Sequence, residues 1–339
     1  MKKLVALVLA VVTCALTSVL FACGPQGTVS IKYADAQTIM ELLINDQLEY
    51  GLLPEPVATK LEKVKGKDYT WHRMSVQELY DSNTKSYPQA VLMVKEDVLE
   101  AYPQLVREIE NKFSENLTWV EQNPQTAVNA VKGKYASTSL MPATVITKTV
   151  IDNCKISWQS AVDAKASVNK YISDILSIDI GLGIKPAKEV TDEFFYNGST
   201  AQGQTINNKT FTFYAPDGAP ALAIAKFISD NQNFISGATF NYNVVVADDI
   251  VKYMDDTMGL ADFIILPVNA GTLKYNNQKA QYKMVSVITH GNLYIMSKTP
   301  STLADLDGKK IGVIGEGKVP DLTFKSVLKK SNMSFNKVA

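Results

Sequence analysis

The chain has 339 residues, 46% of them apolar and 20% charged, with 34 basic and 34 acidic side chains and so no formal net charge. These proportions are those of an ordinary globular chain, and the balance excludes a nucleic-acid partner, which a strong basic excess would mark. Among the basic residues only Arg73 and Arg107 are arginines, so no site can grip a carboxylate or sulfonate with several guanidinium forks.

The first element is an export segment. Lys2 and Lys3 precede the apolar run Leu4–Phe21, and Leu20-Phe21-Ala22 places a small residue directly before Cys23. A cationic start, an apolar stretch and a small-residue cleavage site belong to a targeting signal, which is left out of fold reasoning. With cysteine at the first mature position, residues 1–22 resemble a bacterial lipoprotein signal. The resemblance implies that Cys23 is diacylated and holds the protein on the extracellular or periplasmic face of the cell membrane. A plain secretory signal and a membrane-spanning anchor remain the alternatives, since the run is at the lower length limit for a span. Cys14 leaves with the signal, which leaves Cys154 without an intrachain partner and expected to be a buried thiol. His72 and His290 are the only histidines and lie far apart, so a histidine-based metal site is not expected, and no cofactor is implied.

Thr28 to Tyr33 alternates apolar and polar residues as a half-buried strand does. Ala36 to Leu48 carries Ile39, Met40, Leu43 and Ile44 at helical spacing. Tyr50 to Pro54 reads as a second strand, so the chain begins as a parallel α/β unit. Gln89 to Val94 is a compact apolar strand. Asp97 to Trp119 follows as one long helix with Pro103 near its first turn, and residues 124–178 read as further helices. Asn197 to Lys209 is poor in aliphatic residues and reads as a flexible linker, with 198–208 at its centre. Beyond it, strands are expected at Phe211–Tyr214, Tyr242–Val246, Ala261–Leu266, Met284–Thr289, Leu293–Ser297 and Lys310–Ile314, with helices over Ala221–Ser229 and up to Lys330.

Five short stretches fall where strands end: Leu53–Pro56, Pro216–Pro220, Pro267–Asn269, Gly291–Tyr294 and Gly315–Asp321. Ligands of open α/β sheets sit outside the carboxyl ends of the strands, and helices starting there offer free N–H groups to an anionic or polar ligand. Tyr214-Ala-Pro-Asp-Gly-Ala-Pro-Ala-Leu-Ala-Ile-Ala-Lys226 resembles the opening strand, loop and helix of extracellular solute-binding proteins of ABC importers, nearest to the nitrate, sulfonate, taurine and thiamine-pyrimidine group. Ala261–Asn269, Gly291–Ser297, Asp307–Asp321, Leu52–Thr59 and Tyr87–Val94 are similar to further parts of that family. The resemblance implies a type II, two-lobed periplasmic-binding-protein-like α/β fold, with two parallel-sheet lobes joined by two crossovers. It covers most of 28–197 and 209–339 but in reversed order, as a circular permutation would produce.

On that reading one lobe combines 28–92 with 292–339, and the other combines 93–197 with 209–291. The crossovers fall near Gly291–Asn292 and Val91–Val94, and Ala339 is expected close to Thr28. The implied protein is a monomeric, non-enzymatic lipoprotein that delivers a small-molecule solute to permease and ATPase subunits. A sensory binding protein, or an enzyme like those of menaquinone or thiamine synthesis, are the other uses of such a fold. The expected ligand residues are Asp217, Gly218 and Ala219 at one helix start, Gly317, Lys318 and Val319 at the facing one, and Asn269, Asn292, Tyr294 and Glu55 between them. Glu55 either accepts from an amine, amidine or amino-pyrimidine or fixes its own Pro-Glu-Pro loop. Lys318 either pairs with an anion or faces solvent. Tyr214 and Tyr294 offer rings for stacking, with core packing the alternative for Tyr214. With no arginine expected near these loops, a small planar or zwitterionic organic solute is favoured over a free sulfonate.

Overall fold

The computed structural model describes residues 27–64, 70–134, 145–180, 184–255, 261–277 and 280–339. The export segment and Cys23 lie outside them. Among the described residues no helix is long and apolar enough to cross a membrane.

The chain runs β1 (Thr28–Tyr33), α1 (Ala36–Ile44), β2 (Tyr50–Pro54), α2 (Val57–Glu62), β3 (His72–Ser75), α3 (Val76–Tyr80) and β4 (Pro88–Lys95). It continues through α4 (Glu96–Ala101), α5 (Pro103–Gln122), α6 (Pro124–Lys132), α7 (Lys148–Asn153), β5 (Ile156–Ser160) and α8 (Ala161–Leu176). Then come β6 (Lys209–Pro216), α9 (Ala219–Leu222), α10 (Ala225–Ser229), β7 (Ala238–Val245), β8 (Phe263–Pro267), α11 (Val268–Lys274), β9 (Asn276–Asn277) and β10 (Ala280–His290). The last elements are β11 (Leu293–Ser297), β12 (Lys310–Val313), α12 (Val319–Lys330) and β13 (Ser334–Val338).

Two sheets result. The first has the order β13-β1-β12-β2-β11-β3 and the second β5-β10-β4-β8-β6-β7, with β9 paired only to β10. Each sheet therefore draws strands from both 28–197 and 209–339, and the two stretches are not separate bodies. The sheets are mixed rather than parallel. β13, β1, β12 and β2 are mutually parallel, but β11 runs antiparallel to β2 and β3. In the second sheet β6 is parallel to β7 and β8, while β4 and β10 are antiparallel to their neighbours. The cause is the passage between sheets: β10 runs through Gly291-Asn292 directly into β11, leaving no crossover helix to restore direction.

The other passage lies ahead of Pro88, not at Val91–Val94, because β4 belongs wholly to the second sheet, with Val91 opposite Leu266 and Val94 opposite Phe263. The two passages touch. Gly291 N–H donates to Tyr87 O at 3.0 Å, and His290 pairs with Pro88. Gly291 is required here, since a Cβ would stand 2.2 Å from the Tyr87 ring.

Alternation along the strands buries both faces of both sheets. Val91 and Met93 face a cluster lying between the sheets, which also takes Val29, Ile31 and Leu52 from the first sheet and Ile264 and Leu266 from the second. Leu92 and Val94 face the opposite side, against Ile109, Phe113, Phe211 and Phe263. Ile39, Leu43, Leu53 and Met296 fill the outer face of the first sheet. The helices α8 and α12 complete the central cluster, with Tyr171 OH and Thr323 Oγ1 2.8 Å apart.

Several local expectations change. The helix expected over Asp97–Trp119 is broken at Tyr102, whose φ of −135° is non-helical, because the residue before a proline avoids the α region and Pro103 starts α5. Ile156–Ser160 is a strand, not helix, and closes an edge of the second sheet against β10. Ala221–Ser229 is split into α9 and α10 by Ile224. The 198–208 segment lacks regular structure but is tethered to the helices beside it. Arg107 donates to Ser199 O, Gln104 Nε2 to Gln204 O at 2.8 Å, and Gln204 N–H to Ala101 O at 2.7 Å. Ser334–Val338 forms β13, which lies parallel to β1 with Ser334 opposite Thr28 and Val338 opposite Lys32. Ala339 therefore ends near Tyr33, about five residues or ~16 Å along the strand from Thr28. The two terminal strands lie side by side instead of head to tail.

Candidate functional site

The strand-end loops fall into three groups, of which the first and third span the seam between the sheets. The first joins the β6–α9 and β12–α12 loops. Gly218 has φ 103°, a conformation that favours glycine, and starts α9. Asp217 N–H donates to Val245 O at 2.9 Å, which holds this loop to the end of β7. Three residues beyond, Asp248 pairs with the Lys318 ammonium from the other sheet's loop. Lys318 thus bridges the seam through an ion pair that stays exposed to solvent.

The helix starts are less available to an anion than their sequence suggests. α9 is a single turn of four residues, too short for an appreciable dipole. At α12 the Gly317 N–H donates to Asp321 Oδ2 at 2.9 Å, so the chain's own carboxylate occupies that place. Asp321 is buried and also accepts from Lys325 Nζ at 3.0 Å and Tyr33 OH at 2.8 Å. Burial raises its pKa, opposed by the Lys325 charge and the Gly317 hydrogen bond. Ala219 and Val319 are buried, Val319 in the central cluster, where they shape the loops from behind.

Asn269, on the first turn of α11, forms the second group. Its Nδ2 donates to Pro186 O at 3.0 Å, and Thr272 Oγ1 accepts from Lys188 N–H at 3.2 Å. Residues following α8 therefore lie over this helix start. Asn269 Oδ1 is buried and has no hydrogen-bond donor among the described residues.

Glu55, Asn292 and Tyr294 come together in the third group. Glu55 N–H donates to Asn292 O at 3.0 Å, beside the β10–β11 passage. The Glu55 side chain is fully buried. Its Oε1 accepts from Arg73 Nη1, from Thr59 Oγ1 at 2.9 Å and from Asn153 Nδ2 at 3.4 Å, and its Oε2 from Thr59 N–H at 3.2 Å. An arginine therefore does stand at these loops, contrary to expectation, because the β3–β11 pairing sets Arg73 opposite Met296, from where its long side chain reaches Glu55. Its guanidinium also forks onto Glu62 and lies 5.0 Å from the Tyr294 ring centroid. Burial alone would lower the Arg73 pKa; hydrogen bonds to Glu62 and Glu55 outweigh it and raise it. Glu55 is thus spent on fixing its own loop and joining it to α7, and Tyr294 is covered by Arg73. Asn292 Nδ2 donates to Cys154 O at 3.4 Å, while its buried Oδ1 lacks a donor among the described residues. Cys154 is itself buried, which pushes its thiol pKa up.

Tyr214 is engaged too, stacked on Tyr253 with ring centroids 4.1 Å apart. A cavity of about 980 Å³ lies beside the two passages, bordered by Tyr87, Pro88 and Gly291, and none of the ten expected ligand residues lines it. Arg73, Asn153, Asp248 and Asp321 were not anticipated. The rarity of arginine was the visible signal for Arg73, and the first-turn position of Asp321, four residues after Gly317, was one for Asp321; Asn153 and Asp248 act through long-range pairing.

Among the described residues, these groups leave two buried side-chain acceptors unpaired. Each of Asn269 and Asn292 has its Nδ2 directed at a carbonyl, so each Oδ1 is oriented as a buried acceptor. Leaving such an atom unpaired costs roughly 1–3 kcal/mol, and a ligand N–H would recover it. No protein-family model matches the chain, and no curated protein matches it significantly.

Proposed function

We propose that the protein is a solute-binding lipoprotein of an ABC importer, capturing a small organic molecule between two lobes and passing it to permease and ATPase subunits. The observation that supports this most is the pair of touching passages at Tyr87–Pro88 and His290–Gly291 between two sheets that each contain strands from both halves of the chain. Two bodies linked by adjacent strands close on a ligand as rigid units. The type II binding-protein fold with its halves permuted accounts for the interleaving, and the lipid on Cys23 would keep the protein at the outer face of the membrane. No bond is made or broken at the seam.

The solute is a hydrogen-bond donor: an amine, amidine or amino-pyrimidine that satisfies Asn269 Oδ1 and Asn292 Oδ1. A free sulfonate or nitrate suits the site poorly, because Asp321 already occupies the N–H of Gly317. A thermal-shift screen against amino-pyrimidines, polyamines, riboflavin, taurine, alkylsulfonates and nitrate tests this. A ligand at 100 times its Kd stabilises by about 2.7 kcal/mol. Stabilisation by an amino-pyrimidine or amine is expected. Response to nitrate or alkylsulfonate alone would overturn the assignment of ligand class, and turnover of the bound compound would overturn the transport role.

A further inference from the structure

Away from the seam, the wall of the 980 Å³ cavity carries a second set of chemistry-bearing side chains. β5 and β10 are antiparallel neighbours with Thr289 opposite Ile156, a register that sets Ser157 beside His290. Ser157 Oγ lies 3.0 Å from His290 Nδ1, and Gln159 Oε1 lies 3.2 Å from His290 Nε2. Gln159 Nε2 donates to Asp163 O at 3.4 Å, which turns the carboxamide oxygen toward the imidazole. A carboxamide oxygen only accepts, so the ring proton belongs on Nε2. Nδ1 is then an acceptor, and the hydroxyl proton of Ser157 is the one it takes. Burial lowers the His290 pKa, opposed by the backbone hydrogen bond to Lys155, and this favours a neutral ring at pH 7. All three side chains border the cavity, and so does Lys155, which pairs with no carboxylate among the described residues.

We propose that Ser157, His290 and Gln159 are the nucleophile, base and orienting group of an acyl-transfer site that takes a small ester in this cavity, with the Lys155 charge available to the developing oxyanion. The arrangement divides labour as triads with a carboxamide third member do. Ser157 Oγ attacks the ester carbonyl carbon while its proton passes to His290 Nδ1. The carbonyl–alkoxy bond breaks, and the leaving alcohol takes that proton, which leaves an acyl group on Ser157. Water then attacks the acyl carbon and gives a proton to Nδ1. The carboxylic acid departs as Ser157 recovers the proton.

The test uses the full-length chain with a fluorophosphonate probe and with p-nitrophenyl butyrate. The expected result is a fluorophosphonate adduct at Ser157, located by peptide mass spectrometry, together with ester hydrolysis above buffer. Hydrolysis should fall by about 100-fold or more in Ser157→Ala and in His290→Gln. If Ser157→Ala does not fold, Ser157→Cys provides the second readout: its thiol should react with iodoacetamide faster than the same thiol in a His290→Gln background. An adduct elsewhere, an unlabelled folded protein, hydrolysis unchanged in Ser157→Ala, or a thiol rate in Ser157→Cys that is indifferent to His290→Gln would each overturn the proposal. The site shares no residue with the seam, so its failure leaves the solute-binding reading untouched.

Discussion

Replacing Arg73 with methionine should cost the fold more than any surface charge does, because it strands a carboxylate. The Glu55 side chain is fully buried, whereas the Arg73 side chain is 21% exposed. Removing one partner of a buried pair typically costs 3–5 kcal/mol, and the partial exposure of Arg73 argues for the lower end, about 3 kcal/mol. Thr59 and Asn153 would remain as donors to Glu55, which also limits the loss. The loss comes from an unpaired charge and not from missing attraction, so Arg73→Met combined with Glu55→Gln should recover at least about 1 kcal/mol relative to Arg73→Met alone. Urea unfolding of the wild type, both single variants and the double variant measures this coupling. At roughly 2–4 °C per kcal/mol, the single variant should also melt about 6–12 °C lower. A loss below about 1 kcal/mol in Arg73→Met, or additive effects in the double variant, would refute the hub described around Glu55.

Three further outcomes follow from the geometry. Gly291→Ala should destabilise by about 1–3 kcal/mol through overpacking, because Tyr87 is stacked on Tyr171 and cannot move freely from the new methyl; Tyr87→Ala should make the alanine tolerable, as denaturant midpoints would show. His290 has a lowered pKa, so the unfolded chain takes up its proton first. Its contribution is intact above the ordinary value of 6.5 and is lost as pH falls from there through the folded value. His290→Gln should flatten the stability profile in that window, and an unchanged profile would contradict burial as the cause. Asp248→Ala should shift stability by less than about 1 kcal/mol, because its pair with Lys318 is exposed, yet it should speed ligand release measured by stopped-flow fluorescence, since the pair spans the seam.

The fold was legible wherever a strand's own alternation or a turn's residues determined the outcome. Thr28–Tyr33, Tyr50–Pro54, Leu293–Ser297 and the helix ending at Lys330 lie where their patterns put them. Ile156–Ser160 was missed because Trp158 and the polar residues around it make a weak apolar signal, and pairing with β10 decides their state. The mixed direction of the sheets was hidden for the same reason: it depends on which distant strand is the neighbour. For the site, the structure brings together Glu55, Asn292 and Tyr294, three of the residues expected to meet a ligand. The sequence reading did not reveal that Arg73, Asp321 and Asp248 already occupy the groups expected to meet a ligand. The Arg73–Glu55 and Lys318–Asp248 contacts span 18 and 70 residues, which no local pattern records, whereas Asp321 reaches the Gly317 N–H from only four residues away, a local contact the sequence reading overlooked.

The central claim is that two sheet-bearing bodies move about the passages at Tyr87–Pro88 and His290–Gly291 to enclose a solute. Spin labels at Val246→Cys and Glu316→Cys, exposed positions on opposite sides of the seam, report that movement directly as a distance distribution. With any compound that raises Tm in the panel, a single short distance is expected, and without it a longer or broader distribution. A distribution unchanged by a stabilising ligand would contradict the account.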